Sequence, residues 1–136
     1  MKTTYHGSCH CKAITFAADF DIAEGTGKCN CTFCRKQRMW KVRVEPDDFR
    51  ILTGEGKLGE YARSGEWGEG CHYFCQSCGI ATHSYAHVRG MGAPFVTVQV
   101  AALDDLPVED LIAAPLRIVD GLKDNWQHPP QETRHL

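Results

Sequence analysis

Cys75-Gln76-Ser77-Cys78-Gly79 is the stretch on which the fold turns. A Cys-x-x-Cys turn aims two sulfurs at one ion because the intervening backbone folds tightly, often with a glycine just after it. A second intact pair, Cys9-His10-Cys11, lies near the start of the chain. A Cys-x-Cys pair can do the same where a strand ends, since residues there need not keep strict alternation. Cys9, Cys11, Cys75 and Cys78 thus make a four-sulfur set across a long loop. Tetrahedral Zn²⁺ takes four such donors at about 2.3 Å, and closed sites of this kind contribute folding free energy directly.

Between the two pairs stands Cys29-Asn30-Cys31-Thr32-Phe33-Cys34, three sulfurs within one short run. Three protein ligands with one open position is the general plan of a catalytic zinc, and the open position can take water or a substrate thiol. A zinc-bound thiolate is a nucleophile at neutral pH, whereas free thiols mostly are not. The same triad also reads as half of a second structural site, completed by Cys71 or a histidine. If Cys71 to Cys75 is a strand, Cys71 lies roughly 13 Å from Cys75 at about 3.3 Å per residue. It cannot then share the ion of Cys75, and a buried core thiol is expected for it.

The bulk properties agree with a metal reading of the cysteines. The 136 residues suit one domain, 1–136, with 43% hydrophobic and 24% charged residues and no tract biased toward disorder. A net charge of -2 gives no general pull toward nucleic acid or an anionic membrane. No apolar run approaches the roughly 20 residues of a membrane helix, and Met1 to His10 lack the apolar core of a signal peptide. A reducing cytoplasmic compartment is expected, where eight cysteines are better read as ligands than as disulfides.

Most of the remaining chain reads as short strands. Met39 to Val44 sets Trp40, Val42 and Val44 against Lys41 and Arg43, the period-two signature of a half-buried strand. Ala13 to Phe20, Leu58 to Arg63, Cys71 to Cys75 and Leu116 to Val119 are further candidates, and Phe95 to Val100 is the clearest. A glycine-rich turn around Ser64 to Gly70 separates two of them. Helical signals are short: one turn at Glu45 to Phe49, and Pro107 to Ala113 with proline at its first position. The expected fold is mainly β.

Other residues carry weaker signals. Arg35, Lys36, Arg38, Lys41 and Arg43 follow the triad and suit either a solvated face or an anion beside the metal. His10 lies between two ligand candidates and His72 follows Cys71, so either can be an accidental neighbour of metal. His83 and His87 would share a helix face, but their surroundings do not read as a helix, so solvent or cleft roles fit better. Trp67 and Trp126 suit a lid over a small molecule or a place in the core. Gly54, Gly56 and Gly59 read as turn glycines, since no helix follows to complete a phosphate loop.

Taken together, Gly7-Ser8-Cys9-His10-Cys11, Cys29-Asn-Cys31-Thr-Phe-Cys34-Arg35-Lys36 and Tyr73-Phe74-Cys75-Gln-Ser-Cys78-Gly79 resemble the glutathione-dependent formaldehyde-activating enzyme family, which includes centromere protein V. Weaker agreement runs through Val100 to Asp105 and Asp120 to Trp126, so the resemblance spans about residues 7–126. It implies twisted antiparallel sheets in a β-tent-like zinc fold with few short helices. It also implies two zinc ions per chain: a structural one on Cys9, Cys11, Cys75 and Cys78, and a labile or catalytic one on Cys29, Cys31 and Cys34. The activity implied is that of a carbon–sulfur lyase joining formaldehyde to the thiol of glutathione. One departure is length, because the chain lacks the extra length associated with the named enzyme. A non-catalytic zinc module on the same scaffold is the alternative. A nucleic-acid partner and a membrane are not expected, and the oligomeric state, a homodimer among the options, is left open.

Overall fold

The computed structural model describes all residues from Met1 to Leu136. Ten strands and two short helices follow in the order β1 (Thr3–Ser8), β2 (Thr15–Phe20), β3 (Thr26–Cys29), α1 (Thr32–Gln37), β4 (Lys41–Val44), β5 (Phe49–Thr53), β6 (Leu58–Gly65), β7 (Gly68–Cys75), β8 (Ala81–Val88), β9 (Phe95–Gln99), α2 (Val108–Ala113) and β10 (Leu116–Val119). Single 3₁₀ turns fill several connections, one of them at Pro46–Asp48. The mainly β expectation holds. No helix is long and apolar enough to cross a membrane.

The strands form a three-stranded sheet, β1-β2-β5, and a seven-stranded sheet, β10-β3-β4-β9-β8-β7-β6. All pairings are antiparallel except β10 against β3, which is parallel and departs from the purely antiparallel expectation. The period-two reading of Met39 to Val44 accounts for the contact between the sheets. Val42 and Val44 face inward with Val96 and Val98 of β9, and meet Phe16, Ala18 and Phe20 of β2. Fully burying each of these valine and phenylalanine side chains stabilises the fold by about 1.5–3 kcal/mol. The opposite, outer face of the large sheet carries Lys41 and Arg43.

Several elements differ from the sequence expectation. The strands of the β6–β7 hairpin run to Gly65 and start again at Gly68, so the expected wide glycine turn is a tight one over Glu66 and Trp67. β1, β3, β5 and β8 had no expected counterpart, nor did α1. Proline 107 caps α2 from outside and does not occupy its first turn. Cys71 is half-exposed on β7 and is not the core thiol expected of it. Trp67 and Trp126 are 40% and 51% exposed, which removes both from the core.

His83 is a polar residue buried between the sheets. Its ring stacks on Tyr73 at 4.6 Å and meets Phe49 of the small sheet at 4.3 Å. Its Nδ1 bonds with the Thr82 hydroxyl at 2.9 Å. Burial pushes its pKa down to about 4. Because the folded value lies below the unfolded one of about 6.5, the neutral ring favours the fold above pH 6.5, and that contribution is lost as pH falls toward 4. Replacing His83→Asn, which keeps an acceptor near Nδ1, is expected to flatten the stability loss between pH 7 and pH 5 by on the order of 1–2 kcal/mol in urea unfolding. An unchanged pH slope relative to the wild type would refute this.

Gly54 fixes the approach of β5 to the loop after β1. Its φ of +81° is left-handed, and a Cβ built there would lie 1.9 Å from the Ala13 carbonyl oxygen. Gly54→Ala is therefore expected to lower stability by about 2–4 kcal/mol, measured as a shift in the urea midpoint.

Candidate functional site

The four-sulfur set forms where two turns meet. β1 ends at Ser8, and the next turn carries Cys9 and Cys11, with Lys12 at φ +67°. β7 ends at Cys75, and the turn to β8 carries Cys78 and Gly79 at φ +78°, whose N–H donates to the Cys75 carbonyl at 2.8 Å. The glycine after the Cys-x-x-Cys turn is thus required by backbone conformation. Cys9 Sγ lies 3.6 Å from Cys11 Sγ, which lies 3.7 Å from Cys75 Sγ. A tetrahedron with arms of about 2.3 Å has edges of about 3.8 Å, so the sulfurs stand as zinc ligands would and too far apart for disulfides. Backbone N–H groups of Ile14 and Ser77 donate to Cys9 and Cys75 Sγ. Those of Cys11 and Ile80 draw the Cys78 thiol down to about 6. These donors favour thiolates, the form that binds metal.

Cys29, Cys31 and Cys34 form a second set on the outer side of the large sheet. Cys29 is the last residue of β3, Cys31 caps the N-terminus of α1, and Cys34 lies in its first turn. The three sulfurs lie within 4.8 Å of one another, and no other Cys, His, Asp or Glu offers an atom in the same group. Cys71 and His72, weighed as possible fourth members, do not join it. The Cys34 N–H donates to Cys31 Sγ at 3.4 Å. Donation from the Cys29 and Cys34 thiols pulls Cys31 down to about 2, while contacts with Cys29 and Cys31, and then burial, push Cys34 up. Lys41 Nζ adds a positive charge 3.8 Å from Cys34 Sγ.

What surrounds the triad distinguishes it from the first set. The strand pairing lays Arg43, Thr97, Ser84, His72 and Tyr61 in one row across the outer face. Phe33 of α1 stacks on His72 at 3.8 Å and lies 5.9 Å from the Tyr61 ring. The Arg63 guanidinium sits over Phe33 at 5.5 Å, and over Trp67 at 5.7 Å. His72 Nδ1 bonds to Ser84 Oγ at 2.8 Å. Burial, then the charges of Arg63 and Lys41, push its pKa down to about 4, so the ring is neutral at pH 7. The face is aromatic and cationic beside the sulfurs.

A distant segment closes the other side. Asn30 and Asp120, both buried, bond through Nδ2 and Oδ1 at 2.8 Å, and the Leu122 N–H donates to Asn30 Oδ1. This clamp holds Gly121 so close that a Cβ there would be 2.6 Å from Cys29 Sγ and 2.8 Å from the Trp126 ring. Trp126 therefore borders the triad, the lid-like place the sequence allowed for.

The basic run divides between elements: Arg35 and Lys36 ride exposed on α1, Arg38 caps its end, and only Lys41 and Arg43 stand on the strand. His10 is exposed and joins neither sulfur set. His83 and His87 lie on a strand, four residues and about 13 Å apart, so they form no metal pair. Tyr61 and Arg63 went unflagged in the sequence, and His72 was weighed there only as a neighbour of metal. Their one legible signal is the i, i+2 alternation of Tyr61 and Arg63 on the expected strand.

Two thiolate sets fit for zinc, one closed and one with three sulfurs, define a β-rich metal-binding protein. The sequence profile of the glutathione-dependent formaldehyde-activating enzyme family matches residues 4–118, and the chain belongs to that family. In structure it is similar to a Rhodobacter sphaeroides protein solved by crystallography, at 28% identity and a TM-score of 0.65, over 82% of this chain and 98% of that one. No curated protein matches the chain in sequence.

Gly121→Ala would force Cys29 Sγ or the Trp126 ring aside. Cobalt titration followed by its thiolate charge-transfer band is expected to show a tenfold or greater loss of affinity at one of two metal equivalents, with far-UV circular dichroism unchanged. Equal affinity at both equivalents would show that the segment does not bear on the triad.

Proposed function

We propose that the chain is a zinc-dependent carbon–sulfur lyase of the glutathione-dependent formaldehyde-activating type, adding a small aldehyde to a thiol such as glutathione. The observation that carries this reading is the contrast between the two sulfur sets. Four donors complete the first, whereas the second has three and faces a surface of aromatic and cationic side chains. In this reading Cys9, Cys11, Cys75 and Cys78 hold a structural zinc, and Cys29, Cys31 and Cys34 hold a second. That second ion would supply Lewis acidity, lowering the pKa of a substrate thiol or polarising an aldehyde oxygen.

The reaction forms one S–C bond, opens the carbonyl π-bond and moves the thiol proton to oxygen. Little covalent machinery is needed, so positioning dominates. In this reading Lys41 and Arg63 hold the carboxylates of glutathione, and Phe33, Tyr61 and Trp126 flank its chain and limit water. His72, neutral and anchored through Nδ1 to Ser84, leaves Nε2 for proton transfer on this face. A reducing cytoplasm, where glutathione keeps thiols reduced, suits such a reaction.

Metal analysis of purified protein should find two zinc ions, one of which exchanges faster with a mild chelator and responds to added glutathione. Two equally tight ions indifferent to glutathione would point instead to a non-catalytic zinc module. Cys34→Ser is expected to keep the fold and lose one zinc with the activity, while Cys78→Ser loses the fold. Lys41→Met and Arg63→Met should each raise KM for glutathione by about fivefold to tenfold and leave KM for 2-mercaptoethanol, which has no carboxylate, unchanged. A parallel rise for both thiols would remove these residues from substrate recognition.

A further inference from the structure

The outer face serves the triad, but the same strands build a second surface on the inner side. Side chains alternate across a sheet, so His72 on β7 points to the triad face while Tyr73 points inward. The inner face of the large sheet extends beyond the small sheet, and the step between them is a cavity of about 450 Å³. That volume lies in the range of small-molecule sites. Its floor has a built aromatic row: Tyr73 on β7, and His83 and Tyr85 on β8. Phe49 and Ile51 of β5 form the wall.

The charges on this cavity are unbalanced. Glu60 stands opposite Tyr73 on β6, and Glu55 approaches from the turn after β5; both are exposed and neither has a basic partner within ion-pair distance. The cavity's one basic side chain, Arg50, gives its guanidinium to Asp19, with contacts of 3.0 and 3.4 Å. His83 is buried and neutral at pH 7. What lines the cavity is therefore a group of aromatic rings, with His83 stacked on Tyr73, and two free carboxylates.

Aromatic faces attract cations through the ring quadrupole, most strongly weakly hydrated ones such as quaternary ammonium, and adjacent carboxylates add to the attraction. We infer that this cavity is a second ligand site, separate from the triad, for a small organic cation bearing an alkylated ammonium group. Tyr73 and Tyr85 receive the methyl groups, Glu55 and Glu60 supply the countercharge, and Phe49 and Ile51 cover the apolar part. A neutral molecule of the same shape gains only the apolar contact.

Isothermal titration of the zinc-loaded protein with choline and with its uncharged isostere, 3,3-dimethylbutan-1-ol, tests this. Choline is expected to bind saturably, and the alcohol at least tenfold more weakly. The double variant Glu55→Gln/Glu60→Gln, at exposed positions that leave the fold intact, should weaken choline at least tenfold without altering the alcohol. Cys34→Ser should bind choline as the wild type does, which separates this site from the triad whatever the triad's chemistry. Equal binding of choline and alcohol, an unchanged double variant, or no saturable choline binding would each overturn the inference.

Discussion

Cys11 Sγ meets Cys75 Sγ at 3.7 Å across 64 residues of sequence, and much of the architecture follows from that approach. Four thiolates cannot gather at such distances without a cation, because their mutual repulsion at low effective dielectric far exceeds what a few N–H···S bonds return. A divalent ion held by these four sulfurs would convert the repulsion into attraction and tie the first sheet's leading turn to the end of β7. Cys9 and Cys75 are almost wholly buried beside Ile14, so the tie sits inside a small apolar cluster and is shielded from competing water. The small sheet is then held at two places, by sulfur at one end and by the valine–phenylalanine core along its length. Gly54 is squeezed against Ala13 because β5 must return under the turn that carries Cys9 and Cys11.

With the sheets so fixed, the large sheet acts as a partition. Its strands have a side-chain period of two, so neighbours in sequence serve unlike environments. On β7, His72 belongs to a cationic, aromatic surface beside the triad, and Tyr73 to an inner surface with two unpaired carboxylates. The two faces differ in sign, which a small acidic protein achieves by local placement alone, without any net charge to speak of. Rows across the sheet, not runs along the chain, decide which residues act together.

This explains what could be read from the sequence. The cysteine pairs were legible because ligand spacing is local: Cys75 and Cys78 must share one turn, and the glycine after them reports the turn's left-handed residue. β4 and β9 were legible because burial on one or both faces imposes a visible pattern. β3 escaped because Thr26-Gly27-Lys28-Cys29 has no such pattern; it is a strand through pairing with β4 and β10. Helix α1 escaped because its N-cap is the sulfur of Cys31, outside the Ser, Thr, Asp and Asn set that normally marks a helix start. β8 carries polar residues on both faces, Thr82 and Ser84 outward, His83 and Tyr85 inward, so alternation of hydrophobicity says nothing about it. The row of Ser84, His72 and Tyr61 exists only after three strands pair, and no spacing along one strand contains it.

The two sulfur sets share one ligand chemistry and differ in what encloses them. The four-cysteine set is assembled from two turns and walled by aliphatic side chains, with its remaining contacts made by backbone N–H groups. The triad is assembled from a strand end and a helix start, then walled by residues that each present a charge or a ring: Lys41, Phe33 with His72 and Arg63 behind it, and Trp126. Trp126 arrives from far along the chain through the buried Asn30–Asp120 bond, which joins the residue between two triad cysteines to the segment that closes over them. A bond of that kind, formed between two buried polar side chains, is costly to leave half-made and so is a stringent way to fix position. A centre with no substrate would gain little from such a wall, because aliphatic packing of the kind around the four-cysteine set would suffice to enclose it. A polar, aromatic wall held in place from a distance is what the proposed substrate site would require, and the Asn30–Asp120 bond supplies that fixity beside the triad.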